Sequence, residues 1–174
     1  DWLRGLVTGG LPTVGRIGLV YFASEKGRIL TEMTATRLGE DEFLMMTGAG
    51  AYWHDRDLLN FNLPGTSSIS ISDVTSEMAT LLVTGPKAPA VMAGLTGEGM
   101  GHDEFPWLTY HQMELAGVKV TAIRVSFAGE AGWELHCAMD DVKPLYDAVW
   151  AAGAAHQIGN FGMLALDSMR LEKG

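Results

Sequence analysis

The stretch RVSFAGEAGWELH, residues 124–136, places two carboxylates and two glycines among residues that favour paired β-strands. Glycine between strand residues allows another backbone or a flat ligand to approach closely. A carboxylate at a strand end can accept two parallel N–H donors from a heterocycle that carries an amino group beside a ring N–H, as pterins do. The stretch therefore indicates either a site for such a ring or a hairpin turn with one solvated and one salt-bridged glutamate.

The surrounding second half of the chain alternates apolar strand patterns with amphipathic helix patterns. The predicted elements are a strand over 79–83, a helix over 88–95, strands over 110–115, 118–125 and 133–138, a helix from Asp140 or Asp141 to about 155, and a last helix over 162–171. Ala116-Gly117 is a compact hairpin signal between two of these strands. Either aspartate is expected to cap the long helix.

The first half of the chain also contains several short predicted strands that are separated by glycines. The predicted elements are strands over 16–23, 28–38 and 42–47, a helix over 52–61, and a half-buried strand over 67–74. The last of these strands is predicted because Ile69 and Ile71 alternate with serines. The helix is expected to end before Pro64-Gly65, which is a strong stop signal.

Two successive strand-rich units with helices predict an α+β fold. We place the first subdomain at residues 1–75 and the second, which carries the Gly-Glu-x-Gly-Trp-Glu segment, at residues 76–174. The chain opens at Asp1 without a methionine and stops just after a helical pattern. We therefore expect it to be a fragment of a longer chain.

Composition excludes several classes of function. The net charge of −9, from 12 basic and 21 acidic residues, argues against a nucleic-acid binder. A single cysteine, Cys137, excludes an internal disulfide and is expected to be a small core residue. No apolar run is long enough to span a bilayer. We expect a cytoplasmic protein, or one of the mitochondrial matrix if the source is eukaryotic.

No metal site is predicted, because the five histidines show no metal-ligand spacing. His54 with Asp55 and Asp57 instead favours a solvated helix face. Gly48-Ala49-Gly50 lacks the third glycine and the acidic partner of a dinucleotide fingerprint.

Four further motifs accompany the opening stretch in a fixed order. They are residues 25–29 leading into 34–38, Gly85-Pro86-Lys87-Ala88, Phe105-Pro106-Trp107-Leu108, and residues 165–174. With them the chain resembles the folate-binding aminomethyltransferase domain, found as the glycine-cleavage T-protein and as the C-terminal part of flavin-dependent dimethylglycine and sarcosine dehydrogenases. The resemblance covers nearly the whole chain and implies two ferredoxin-like antiparallel-sheet subdomains.

The resemblance implies roles for two glutamates. Glu134 aligns with the carboxylate that holds the pterin ring of tetrahydrofolate. Glu32 occupies the place of the catalytic aspartate in the strand after a Gly-Gly-Ile turn, which preserves the charge and adds a methylene. The chain departs from the family pattern at Leu19, Gly48, Phe127 and Leu166. These departures argue against strict T-protein activity, and residues 31–34 and 105–108 look closer to the flavin-dehydrogenase branch.

Four more residues are candidates for binding the cofactor, three within the opening stretch and one, Trp107, in the motif over 105–108. Glu130 would orient the turn or the glutamyl tail, or would be a plain surface carboxylate. Arg124 would pair with Glu130 or with a ligand carboxylate, the first being an ordinary cross-strand ion pair. Trp107 and Trp133 offer flat apolar area for a pteridine or benzoyl ring, with core packing the alternative for at least one of them.

The resemblance implies a tetrahydrofolate-binding, aminomethyltransferase-like domain that captures a one-carbon unit from a methylated glycine or a related amine. FAD would be bound only in a domain absent from this chain. The alternative is a folate-binding or structural module without catalytic activity. We expect the apolar face of the last helix to be covered by self-association or by the missing flavin domain.

Overall fold

The computed structural model describes residues 2–65 and 68–174. The chain forms two compact units, Asp1–Asp73 and Val74–Gly174. Each unit buries a hydrophobic core of its own.

Unit 1 is built on a four-stranded antiparallel sheet. Its elements are α1 (Trp2–Leu6), β1 (Val7–Thr8), β2 (Ile17–Ala23), β3 (Ile29–Arg37), β4 (Phe43–Met46) and, after a 3₁₀ turn at Ala49–Ala51, α2 (Tyr52–Phe61). The strands follow one another in the order β1-β2-β3-β4. The core consists of Leu3, Val7, Val20, Phe22, Met33 and Ala35. The predicted helix over 52–61 is confirmed at both ends.

The predicted strand over 67–74 is wrong where the structure can test it. Ser67 lies outside the described residues, and residues 68–74 form no strand. Ile71 remains 38% exposed. Alternation of apolar and polar residues is compatible with a strand, but a strand also needs an adjacent sheet edge to pair with.

Unit 2 is built on a second four-stranded antiparallel sheet. Its elements are β5 (Met78–Thr84), α3 (Ala88–Thr96), β6 (Tyr110–Leu115), β7 (Val118–Ile123), β8 (Gly132–Ala138), α4 (Val142–Gly153) and α5 (Met163–Lys173). The strand order is β5-β8-β7-β6. Ala116 and Gly117 both have positive φ, 52° and 84°, as the predicted tight hairpin between β6 and β7 requires.

The two antiparallel sheets with their helices confirm the α+β class. In unit 2 the elements from β5 to α4 run β-α-β-β-β-α. A ferredoxin-like unit runs β-α-β-β-α-β. In the sheet of unit 2, β8, the last strand of the unit, lies in the interior between β5 and β7.

The predicted aspartate cap of α4 is wrong. Asp141 does precede the helix, but its side chain makes no capping hydrogen bond. Its backbone is already helical, with φ −93° and ψ −4°, because a 3₁₀ turn at Met139–Asp141 leads into the helix. A capping side chain requires the extended backbone that this turn removes.

Strand β8 presents different chemistry on its two faces. Trp133, Leu135 and Cys137 point into the core of unit 2. Glu134 and His136 therefore lie on the opposite face, since successive strand residues alternate. Burial raises the pKa of Cys137, and the nearby charge of Asp141 adds to the effect.

Candidate functional site

Glu134 lies in the middle of the unit 2 sheet. In the register of the strands it stands opposite Leu82 of β5 and Ile123 of β7. Its side chain is 32% exposed, and its Oε2 lies 3.4 Å from Nε2 of His136. The sheet therefore presents one accessible carboxylate between two apolar neighbours.

His136 is the polar neighbour of Glu134 on the same face of β8. Its side chain is only 4% exposed. Nδ1 lies 2.9 Å from Oγ1 of Thr80, the residue opposite it on β5. Nε2 has no hydrogen-bond partner, so its 3.4 Å approach to Glu134 is an ion-pair distance without hydrogen-bond alignment.

The side chain of Arg124 donates hydrogen bonds to backbone carbonyl groups of unit 2. Its Nη1 donates to the carbonyl oxygen of Gly101 at 2.6 Å and to that of Phe105. The guanidinium also lies over the ring of Trp133, with Cζ 5.1 Å from the ring centroid. Of the two alternatives for Arg124, the ion pair with Glu130 is therefore wrong, because Arg124 donates to backbone carbonyls and Glu130 pairs with Lys173.

Glu130 is paired with the last helix. Its Oε1 accepts a hydrogen bond from Nζ of Lys173 at 2.9 Å. One turn earlier on α5, the guanidinium of Arg170 lies 4.6 Å from the ring centroid of Phe127. Together with buried Leu166, these contacts define the face of α5 that packs within unit 2.

The two candidate tryptophans differ in exposure. Trp133 is fully buried and meets Phe105 edge to face, with centroids 6.3 Å apart. Trp107 is 39% exposed. Trp133 is therefore a core residue, as one of the two alternatives from the sequence proposed, and Trp107 is the tryptophan that exposes surface to solvent.

Glu32 belongs to the other unit. It lies on β3 opposite Tyr21 of β2, and its side chain is exposed. Met33 beside it points into the core of unit 1. The other five candidate residues, at positions 107, 124, 130, 133 and 134, all belong to unit 2.

Four of the five buried side-chain polar atoms without a partner in the described part of the chain lie in the stretch 124–136. They are Nε of Arg124, Oγ of Ser126, Nε1 of Trp133 and Nε2 of His136. Such groups are costly to bury, and a concentration of them calls for an explanation beyond stability. The stretch 124–136, which the sequence analysis identified, therefore also contains most of the buried polar side-chain atoms that lack a hydrogen-bond partner in the described residues.

Asp55 is a buried carboxylate that the sequence interpretation missed. It is 1% exposed. It accepts hydrogen bonds from the hydroxyl of Thr47 and from Nδ1 of His54, the latter at 2.8 Å, and interacts with the Thr31 side chain. Burial alone would raise the pKa of Asp55, but these hydrogen bonds outweigh it and hold the pKa below its ordinary value.

The solvated-face interpretation is therefore wrong for Asp55. Helical spacing could have indicated the burial of Asp55 from the sequence. Asp55 shares a face of α2 with Leu58 and Leu59, which pack on the unit 1 core.

Residues 2–65 and 68–174 contain no group of three or more histidine, cysteine, aspartate or glutamate side chains that could hold a metal ion. Within the same ranges, no helix is both long and apolar enough to cross a membrane.

Comparison with known proteins identifies relatives of two kinds. Human (Homo sapiens) mitochondrial dimethylglycine dehydrogenase is 37% identical over 164 residues, which cover 94% of this chain and 19% of that protein. An aminomethyltransferase of Geobacillus kaustophilus is 30% identical over 158 residues, covering 91% of this chain and 43% of that protein. The chain thus spans about a fifth of the dehydrogenase and less than half of the aminomethyltransferase.

The fold also matches a solved structure. The glycine cleavage system aminomethyltransferase T from Bartonella henselae superposes with a TM-score of 0.80 at 24% identity, over 98% of this chain and 45% of that chain. The family model described as the GCVT N-terminal domain matches residues 1–174. The resemblance derived from the sequence motifs is therefore confirmed: this chain belongs to the GCVT N-terminal domain family, as an aminomethyltransferase-like domain related to the dimethylglycine dehydrogenases.

Proposed function

We propose that this chain binds tetrahydrofolate and transfers a one-carbon unit to it from a methylated glycine or a related amine, within an enzyme like dimethylglycine or sarcosine dehydrogenase. The observation that carries the proposal is the accessible carboxylate of Glu134 on the face of β8 that turns away from the core. The names of the relatives support the reaction class, since they include a dehydrogenase of a methylated amine and an aminomethyltransferase.

The residues around Glu134 fit a pterin ring. A pterin presents an amino group and a ring N–H side by side, and a carboxylate accepts such a pair through its two oxygens. Leu82, which stands opposite Glu134 on β5, is half-buried and offers apolar surface beside the carboxylate, whereas Ile123 on β7 is fully buried. When bound, tetrahydrofolate would supply the N5 and N10 atoms that accept the one-carbon unit.

The chain's own residues would contribute mainly positioning. Glu134 would fix the orientation of the ring. Separately, we propose that the exposed carboxylate of Glu32, in unit 1, takes part in the transfer of the one-carbon unit. Positioning of this kind supplies much of the rate when one reactant is already electrophilic. Exclusion of water would protect a reactive one-carbon unit from hydrolysis.

The other candidates would have supporting roles. Trp107 would offer ring surface to the folate, and the loop that carries Glu130 would lie near its glutamyl tail. Arg124 and Trp133 would shape the site from inside unit 2, because both are engaged there. FAD of such an enzyme would be bound by another part of the protein.

The first prediction tests the pterin anchor. Glu134→Gln keeps the shape of the side chain but replaces an acceptor with a donor that faces ligand N–H groups. We expect the affinity of the full-length protein for folinic acid to fall by at least about 2 kcal/mol, measured by calorimetry.

Glu114→Gln is the matched control, because Glu114 is an exposed glutamate on β6 of the same sheet, opposite Lys119. Its affinity for folinic acid should equal that of the wild type. If Glu134→Gln binds folinic acid with the affinity of the wild type, Glu134 is not the residue that binds the pterin ring. Folate binding without folate-dependent product formation would support the alternative of a non-catalytic module.

A further inference from the structure

The two ring nitrogens of His136 have different neighbours, and this difference bears on which nitrogen carries the proton. His136 is almost wholly buried, whereas about a third of the Glu134 side chain is exposed. Nδ1 of the imidazole lies 2.9 Å from the Thr80 hydroxyl, and Nε2 lies 3.4 Å from Oε2 of Glu134. One ring nitrogen thus faces a hydroxyl and the other faces a carboxylate.

A neutral imidazole carries its proton on one of these two nitrogens. If the proton were on Nδ1, the lone pair of Nε2 would face the carboxylate of Glu134, which is repulsive. If the proton is on Nε2, an N–H points toward that carboxylate, and Nδ1 accepts a hydrogen bond from the Thr80 hydroxyl. A threonine hydroxyl can donate or accept, so of the two neutral tautomers only the second satisfies all three groups.

We propose that His136 is a positioning residue for Glu134: its Nε2–H, set by Thr80, holds the carboxylate in the orientation that receives a ligand with two adjacent N–H donors. This inference rests on the proposed function of Glu134. His136 does not contact the ligand, because it is buried. A carboxylate has about four lone-pair sites, so Oε2 can accept from His136 and from the ligand at the same time.

The separation of 3.4 Å without hydrogen-bond alignment fits this role. The N–H and the carboxylate are close enough to attract, and this role requires that the Glu134 side chain rotate on ligand binding to form a charge-assisted bond. Ligand binding would then complete the network Thr80–His136–Glu134.

The decisive experiment is a double-mutant cycle on folinic acid binding by the full-length protein. His136→Leu removes the N–H at similar size, and His136→Gln places an amide N–H near the former position of Nε2. We expect His136→Leu to weaken binding about tenfold and His136→Gln to restore it to within about threefold of wild type. In the Glu134→Gln background, His136→Leu should cause no further loss.

Thr80 allows the same test without changing the buried histidine. Thr80→Val suits an exposed strand position and removes the hydroxyl that fixes the tautomer. We expect it to weaken folinic acid binding in the same direction as His136→Leu. Thr121→Val is the matched control, because Thr121 faces His136 from β7, and it should leave binding unchanged.

The outcomes separate this inference from the proposed function. If Glu134→Gln binds folinic acid as wild type does, the proposed function fails and the inference with it. If Glu134→Gln weakens binding but His136→Leu adds its full effect in that background, only the inference is overturned. Equal affinity of Thr80→Val and wild type would also overturn it.

Discussion

Asp55 shows how one buried carboxylate organises unit 1. It joins Thr31 of β3, Thr47 after β4 and His54 of its own helix, so three segments meet at one side chain. A buried charge is tolerated when hydrogen bonds replace the water it has lost. Because Thr31 is the neighbour of Glu32, this network also fixes the strand that carries the proposed catalytic carboxylate.

We predict that Asp55→Ala lowers the free energy of unfolding by about 2 to 3 kcal/mol at neutral pH, because it leaves two threonine hydroxyls without their acceptor. The folded pKa of Asp55 is below its ordinary value of 3.8, so the carboxylate contributes stability above pH 3.8. That contribution is lost as the pH falls through the lowered pKa. Urea unfolding at several pH values should show the difference between variant and wild type shrinking below that range.

Asp57→Ala is the control for this prediction, because Asp57 is exposed on the same helix. It should stay within about 0.5 kcal/mol of wild type. Equal effects of the two substitutions would contradict the role given to Asp55.

Glu32 calls for a test of catalysis. We predict that Glu32→Ala in the full-length enzyme slows folate-dependent product formation about tenfold or more, because a positioned carboxylate typically contributes at least that much. Flavin reduction should be untouched, since it would occur in another part of the protein. Equal loss of both activities, or of neither, would mean that Glu32 has a structural role or none.

At the scale of elements, β8 depends on a glycine at its first residue. A Cβ at Gly132 would lie 2.8 Å from the carbonyl oxygen of Val125 and 3.2 Å from Oγ1 of Thr84. The close approach expected from the sequence is therefore made by backbone, and backbone cannot move aside as cheaply as the end of a side chain.

We predict that Gly132→Ala lowers the free energy of unfolding by about 1 to 3 kcal/mol, since the strand and the 124–131 loop must separate to admit a methyl group. Chemical denaturation measures the change. Gly159→Ala is the control, because a Cβ there meets nothing within 4 Å. A Gly132→Ala variant as stable as that control would refute the close approach.

Helix α5 has two faces with different surroundings. Leu166, Arg170 and Lys173 make the contacts described above with unit 2. The apolar face that the sequence predicts to be covered consists of Phe161, Leu164, Ala165 and Met169, of which Phe161 is 41% and Leu164 85% exposed. That a neighbouring chain or domain covers this face stays a prediction.

At the scale of the whole molecule, electrostatic repulsion opposes folding. The net charge is −9 at neutral pH. A compact state concentrates this charge, and dissolved salt screens it. We predict that Tm at pH 7 rises when the ionic strength is raised from about 0.01 M to about 0.15 M.

The control for the salt effect is the same scan near the isoelectric point, where little net charge remains to be screened. There the added salt should leave Tm nearly unchanged. A Tm that falls with salt at pH 7 would mean that attractive ion pairs, such as Glu130 with Lys173, outweigh the net repulsion.

The sequence alone determined those features that depend on local pattern. The end of the helix over 52–61 is specified by a strong stop at Pro64-Gly65, and the β6–β7 hairpin by the two-residue break Ala116-Gly117, whose glycine readily accepts positive φ. The order of five motifs was enough to identify the family, because each motif can be recognised without its spatial neighbours. The stretch 124–136 likewise drew attention through its own glycines and carboxylates.

Only the tertiary structure decided which groups those residues meet. Glu130 pairs with Lys173, 43 residues away, and Arg124 donates to carbonyls about 20 residues before it. Trp133 and Asp55 are buried by elements distant in sequence, and residues 68–74 pair with no strand. The physical reason is common to all of them: hydrogen-bond partners, burial and strand pairing are properties of surroundings that residues far along the chain supply.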